Sequence, residues 1–265
     1  GRPNKDLAKL ADQLRQLMGT MAEQFDLPAL EEFTVEAGRP DCTDEEKLRI
    51  IKEYGATRIS INPQTFSDEV LRNIGRRHTA QDILDCYRTA RRVGHDNINM
   101  DLIAGLPGDT VEGFRHSLQT AIDLDPENIT VHTLTLKRAS NLVVEHRAAD
   151  YADVAAMVES CELLEKAGYR PYYLYRQKYM SGSFENTGWC RPGYTGLYNI
   201  YMMEELHTIL SLGGGGMNKI NLPEEKLARY HNPKIPQDYI SRIDTILQQK
   251  DEIFSILRGL RKQNP

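Results

Sequence analysis

The segment "NMDLIAGLPGDT", residues 99–110, places a carboxylate, Asp101, in the middle of an apolar run that ends at Gly105-Leu106-Pro107-Gly108. An acid inside a strand must be hydrogen-bonded, face solvent at a cleft, or hold its proton. It can cap a neighbouring helix or pair with an arginine. Beside Glu36 and Gln64, which close two other strand-like runs, it can instead hold a polar ligand. A carboxylate and an amide at neighbouring strand ends suit the vicinal hydroxyls of a ribose. In "NIGRRHT" (73–79), Arg76, Arg77 and His78 are either solvated loop residues or, for an arginine reaching back, a bidentate grip on a carboxylate. His132 lies in a strand-like run, where packing is the commoner role. Glycines 213–216 allow a sharp turn or close backbone approach to a ligand, but no Gly-Lys-Ser/Thr follows them. Neither a G-x-S-x-G elbow nor an H-E-x-x-H pair occurs, and the residues assign no general acid or base.

These side chains need elements to carry them. Residues 31–38, 57–64, 97–105, 128–136 and 170–177 read as strands. Helices alternate with them. "TDEEKLRIIKEYG" opens with a capping box from Thr43 to Glu46 and closes on Gly55. In 79–94, Ile83, Leu84, Tyr87, Ala90 and Val93 share a face and Gly94 ends the helix. Residues 109–125 and 150–168 repeat the pattern. Successive βα units imply a parallel sheet, either open and doubly wound or a barrel. Polar residues at successive strand ends (Glu36, Asn62 and Gln64, Asp101, then His132 or Thr135) favour a partial, TIM-like (β/α) barrel of mostly parallel strands with outer helices. Residues 1–180 form that barrel in this reading. Residues 181–265 form a C-terminal extension, with 181–196 loop-like, the glycine run, and a terminal helix or helix pair over 236–260.

Composition bounds the rest. With 40% hydrophobic and 27% charged residues the chain can bury a sizeable core. A net charge of −5 with mixed signs leaves no basic stripe for nucleic acid. No apolar run approaches the roughly 18 residues of a membrane span and no signal peptide opens the chain, so a cytoplasmic location is expected. Cys42, Cys86, Cys161 and Cys190 are scattered, which predicts reduced, mostly packed thiols with no metal site. The first residue is Gly1, and an upstream portion is expected to be missing.

The ordered segments resemble the radical S-adenosylmethionine enzymes. Within them they are most similar to the oxygen-independent coproporphyrinogen III oxidase-like group and its coproporphyrinogen dehydrogenase (HemZ) branch. "EFTVEAGRP" (32–40) is similar to that family's strand ending in a glutamate, "RISINPQTFSDEVLRNIGRRHT" (58–79) to its glutamine-bearing strand with a following arginine, and "NINMDLIAGLPGDTVEGF" (97–114) to its most specific motif. "RPGYTG", "LSLGGGGMNK" and "RYHNPKIPQDYI" fit the looser later pattern, and the likeness covers roughly residues 30 to 240.

The resemblance implies that Glu36 and Arg76 lie near the methionyl moiety of S-adenosyl-L-methionine, Gln64 and Asp101 near its ribose. Thr135 would lie on the lining toward substrate or a second cofactor molecule, where better-known oxidases carry a small residue. It implies a 4Fe–4S cluster, reductive cleavage of the cofactor with electrons from a donor such as flavodoxin or ferredoxin, and decarboxylation of the propionates of a porphyrinogen to vinyl groups. The cluster's Cys-x-x-x-Cys-x-x-Cys triplet is not among these 265 residues. The chain is therefore expected to be a fragment, inactive by itself. Two other roles compete: a haem-binding chaperone-type relative, and an unrelated phosphate-binding barrel using the glycine run.

Overall fold

The first four strands alternate between apolar and polar side chains, broken at Ile103, and this alternation sets the architecture. The computed structural model describes residues 4–134, 151–175, 184–223 and 226–263, with backbone alone for 4–8 and 261–263. By internal contacts the chain divides into two units, residues 1–197 and 198–265.

In the first unit, α1 (Asn4–Gln24) precedes β1 (Thr34–Gly38), α2 (Glu45–Glu53), β2 (Arg58–Ile61), α3 (Asp68–Asn73), α4 (Ala80–Val93), β3 (Ile98–Ala104), α5 (Val111–Leu124) and β4 (Asn128–Thr133). Then come α6 (Tyr151–Glu159), α7 (Glu162–Lys166), β5 (Arg170–Tyr175) and β6 (Asn186–Cys190). Strands β1 to β4 lie side by side in chain order and pair in parallel, with no reversal of strand order. Such a succession is the winding of a barrel, whereas a doubly wound sheet reverses at a switch point.

Val35, Ile59, Ile61, Ile98, Met100, Leu102, Ala104, Ile129 and Val131 point to one face, where they pack with Leu48, Ile51, Ile83, Phe114 and Leu118 of the helices. Each fully buried aliphatic side chain there stabilises the fold by about 1.5–3 kcal/mol. Helix α1, unanticipated from the sequence, adds Ala11, Leu14, Met18 and Met21 at helical spacing to the same core. The opposite face carries Glu36, Ser60, Asn99, Asp101, Thr130 and His132, which the parallel registers place side by side.

Three expectations are corrected. The capping box does not start at Thr43. Asp44 caps α2, accepting from the Lys47 backbone N–H at 2.9 Å, while the Thr43 hydroxyl donates to the Ala37 carbonyl at 2.7 Å. The 150–168 segment is two helices, α6 and α7, broken near Ser160, and Gly168 ends it in the left-handed region at φ +90°. The stretch 181–196, expected as loop, contains β6. This strand inserts between β4 and β5, antiparallel to both, so β5 does not pair with β4 as a simple βα succession requires. Its sequence, Asn-Thr-Gly-Trp-Cys, is poor in branched aliphatics and carries little strand signal. Gly188 is needed there because a Cβ would sit 1.9 Å from Cε1 of Tyr173.

At the N-terminal ends of the strands a polar clasp closes the unit. Arg91 donates to Glu127 at 2.9 Å and to the Tyr87 hydroxyl at 2.6 Å, and Glu127 accepts the Ile98 N–H at 2.8 Å. Arg191 lies 4.0 Å over the Tyr169 ring, whose hydroxyl donates to the Pro126 carbonyl at 2.6 Å.

His95, 3% exposed just past α4, hydrogen-bonds the Leu48 carbonyl at 3.0 Å, and burial lowers its pKa from the ordinary 6.5. A folded-state value below the unfolded one means that the unfolded chain takes up the proton first. Stability present above about pH 6.5 is therefore lost as pH falls toward the depressed value. Thermal unfolding followed at pH 7 and pH 5 should show His95→Gln, whose amide can still donate to Leu48, losing less Tm on acidification than the wild type. Equal losses would remove His95 from the account.

Helix α8 (Leu197–Met203) is followed in the second unit by β7 (Met217–Leu222), antiparallel to β8 (Lys226–His231), then α9 (Pro236–Ser241) and α10 (Ile243–Gln263), the expected helix pair. The glycine run is a turn closed by its own unit. The Gly213 N–H donates to the Tyr239 hydroxyl at 3.2 Å, the Gly215 N–H to the Pro233 carbonyl at 2.7 Å, and Asn232 Nδ2 to the Gly213 carbonyl at 2.8 Å. Amides committed in this way do not form a phosphate cradle.

Candidate functional site

Parallel strands end in register, so side chains two residues apart on adjacent strands form one polar surface. Ser60 Oγ donates to Glu36 Oε1 at 3.0 Å, and Asn62 Nδ2 reaches Glu36 Oε2 at 3.5 Å. Asn99 Nδ2 lies 3.3 Å from Ser60 Oγ and donates to Asp101 Oδ1 at 2.7 Å. The Thr130 hydroxyl donates to Asn99 Oδ1 at 3.0 Å. His132 Nε2 lies 3.6 Å from Asp101 Oδ2, and its Nδ1 is 3.4 Å from the Tyr175 hydroxyl. A connected polar surface thus runs from Glu36 on β1 to Tyr175 on β5. Glu36 is exposed, and the Asp101 side chain is 20% exposed, so both carboxylates keep access to a ligand.

Gln64 is held beside them by an unusual backbone. Its φ is +67°, in the left-handed region that a non-glycine residue seldom enters. Its N–H donates to the Asp101 carbonyl and its own carbonyl accepts from the Ile103 N–H, both at 2.9 Å. Strain of this kind persists where the surroundings over-determine it, commonly at functional sites. Here it fixes Gln64 against β3 at Asp101.

Three of the five residues singled out in the sequence fall on adjacent strands: Glu36 on β1, Asp101 at the middle of β3, and Gln64 three residues past β2, bonded through its backbone to β3. Arg76 is half-buried in the loop before α4 and donates its N–H to the Leu71 carbonyl at 2.8 Å. Its side chain lies close enough to lower the pKa of His78, for which burial is the main cause. The structure does not join Arg76 to Glu36, Gln64 or Asp101. Thr135 lies outside the described residues. Sequence reading passed over Ser60, Asn99, Thr130 and Tyr175. The period-two spacing of Asn99 with Asp101 and of Thr130 with His132 was the signal that could have found two of them.

The donor set suits part of a nucleoside-amino acid ligand. Two accessible carboxylates and an amide can accept from ribose hydroxyls and an ammonium group. An iron–sulfur cluster does not fit. Among the described residues no group of three His, Cys, Asp or Glu side chains could hold a metal ion. Burial pushes the Cys86 thiol up to about 11 and that of Cys161 to about 12, opposite to the thiolates a cluster requires. No helix among the described residues is long and apolar enough to cross a membrane.

Comparison with known proteins agrees with the geometry. Residues 3–121 match the model of the radical SAM superfamily. The chain is 43% identical over 246 residues to the oxygen-independent coproporphyrinogen-III oxidase-like protein HemZ of Bacillus subtilis (strain 168), covering 91% of this chain and 49% of the relative. It is 39% identical over 133 residues to the heme chaperone HemW of the same organism, covering 50% of this chain and 33% of the relative. The fold matches coproporphyrinogen III oxidase (HemN) from Escherichia coli, a radical SAM enzyme. The TM-score is 0.67 at 20% identity, over 89% of this chain and 54% of that one. The chain thus spans about half the length of these relatives or less. A mostly parallel sheet with outer helices matching that fold, the superfamily match and the extended HemZ identity lead to one conclusion: the chain carries a radical SAM domain and is similar in sequence to HemZ and in fold to HemN.

Proposed function

We propose that Glu36, Gln64 and Asp101 form part of the S-adenosylmethionine site of an enzyme that oxidatively decarboxylates propionate side chains of a coproporphyrinogen-type substrate. The observation that carries this reading is the polar surface from Glu36 to Asp101 across β1 to β3, with Gln64 strained into place beside it. When bound, the cofactor supplies the superfamily's one-electron chemistry, with electrons from a small donor protein such as flavodoxin or ferredoxin. Asp101 and Gln64 take the ribose, and Glu36 takes the methionyl ammonium. Arg76 takes the methionyl carboxylate. The protein's part is to orient the cofactor and exclude water.

Equilibrium dialysis of radiolabelled S-adenosylmethionine against the 265-residue protein tests the site. Saturable one-to-one binding that is lost in Glu36→Gln/Gln64→Ala is the expected result. Binding that the double variant leaves unchanged would contradict it. The identity to HemW chaperones supports a second reading, haem carriage. Stoichiometric haem uptake with a new Soret band, in place of S-adenosylmethionine binding, would favour that role.

A further inference from the structure

Asp101 is hydrogen-bonded on one side and faced by an imidazole on the other, and the imidazole comes from outside the strands that resemble the superfamily motifs. Asn99 Nδ2 holds Oδ1 at 2.7 Å, while His132 Nε2 faces Oδ2 at 3.6 Å. The imidazole is itself placed by β5. The Tyr175 hydroxyl lies 3.4 Å from Nδ1 and the two rings meet edge-on at 6.4 Å. Tyr175 stacks in turn on Tyr173, with centroids 6.3 Å apart and planes within 5°, and Tyr173 occupies the space left by the missing side chain of Gly188. One tautomer satisfies both neighbours: Tyr175 donates to Nδ1, and Nε2–H points at the carboxylate.

We propose that His132 is a positioning residue for the ribose-binding carboxylate, its ring packed 3.6 Å from Asp101 Oδ2 so that the carboxylate is kept turned toward the 2′- and 3′-hydroxyls of a bound nucleoside. This rests on the reading of Asp101 as the ribose ligand. Without the imidazole, Asn99 is the remaining neighbour among the described residues that orients the carboxylate, which can then turn about its Cβ–Cγ bond. The loss falls on recognition of hydroxyls and leaves contacts to the base unaffected.

Calorimetric titration of adenosine and of 2′,3′-dideoxyadenosine into the 265-residue protein tests it in wild type, His132→Leu and His132→Gln. Wild type should prefer adenosine. His132→Leu should bind adenosine about tenfold more weakly with its dideoxyadenosine affinity unchanged, a loss at the small end of those seen for contacts to a charged group. His132→Gln, whose amide can donate from near the same position, should recover most of the preference. Full preference retained in His132→Leu overturns the proposal. So does parallel loss of both ligands in both variants, which indicates a merely structural role. A wild type that binds both nucleosides equally overturns the ribose reading itself, and the proposal with it.

Discussion

Replacing Asp101 with alanine is expected to weaken binding of adenosine-bearing ligands on the order of 100-fold while the chain still folds. Two hydroxyls donating to one carboxylate form two charge-assisted hydrogen bonds, each contributing about 1.5–3 kcal/mol. Losing both accounts for that factor. The side chain is 20% exposed and lies off the apolar core, so the cost to folding is confined to leaving Asn99 Nδ2 and His132 Nε2 without their acceptor. Asn99 Nδ2 is the donor hydrogen-bonded to it, and leaving that donor unpaired costs about 1–3 kcal/mol. Asp101→Asn keeps the shape and one acceptor oxygen and should fall between the two. Titration with S-adenosylmethionine, alongside thermal unfolding of each variant, separates affinity from stability. An alanine variant that binds as tightly as wild type would show that the ligand lies elsewhere.

The second large effect belongs to the core. Leu102 is fully buried at the centre of β3, opposite Val131 in the register and bridged to Gln64 on the other side. Leu102→Ala removes three carbons between two strands that the ladder holds in place, so the cavity can collapse only partly. The expected loss is about 2–5 kcal/mol, or roughly 2–4 °C of Tm for each kcal/mol in a chain of this size. Denaturant unfolding of Leu102→Ala beside Leu174→Ala, a residue 54% exposed on β5, checks it. The second substitution should change stability by about 0.5 kcal/mol or less. Equal losses in both would mean that β3 is not the centre of the core.

These two residues also mark what the sequence made legible. Leu102 and Asp101 are neighbours pointing to opposite faces, and the alternation of which they are part runs through β2, β3 and β4. It reveals a parallel sheet that is apolar on its helix side and polar on the other. Acids such as Glu36 and Asp101 stand out in such strands because burial of a charge is costly, so their presence there points to a site. The ends of α4 were readable because Gly94 must take a left-handed φ, observed at +103°. The start of α2 was misplaced by one residue because Thr43 and Asp44 are both good caps and local sequence does not choose between them.

What stayed hidden depends on pairing between distant segments. Strand β6 has weak local propensity and is ordered by ladders to β4 and β5, with Gly188 accommodating the Tyr173 ring. His132 and Tyr175 look like ordinary strand residues until β5 is known to bring the phenol to the imidazole across 43 positions of chain. Arg76 carries the opposite lesson. Its motif spacing suggested a ligand grip, which the strand geometry does not test, because spacing alone does not fix where a loop side chain reaches.

The central claim is that the polar surface of Glu36, Gln64 and Asp101 binds a nucleoside through its ribose. A crystal structure of the protein with S-adenosylhomocysteine tests it most directly. The account predicts ribose hydroxyls within about 3 Å of the Asp101 carboxylate, an ordinary hydrogen-bond length, with Gln64 alongside. A ribose seated away from that surface, for instance in the cleft of about 320 Å³ beside Asp41 and His78, would contradict it.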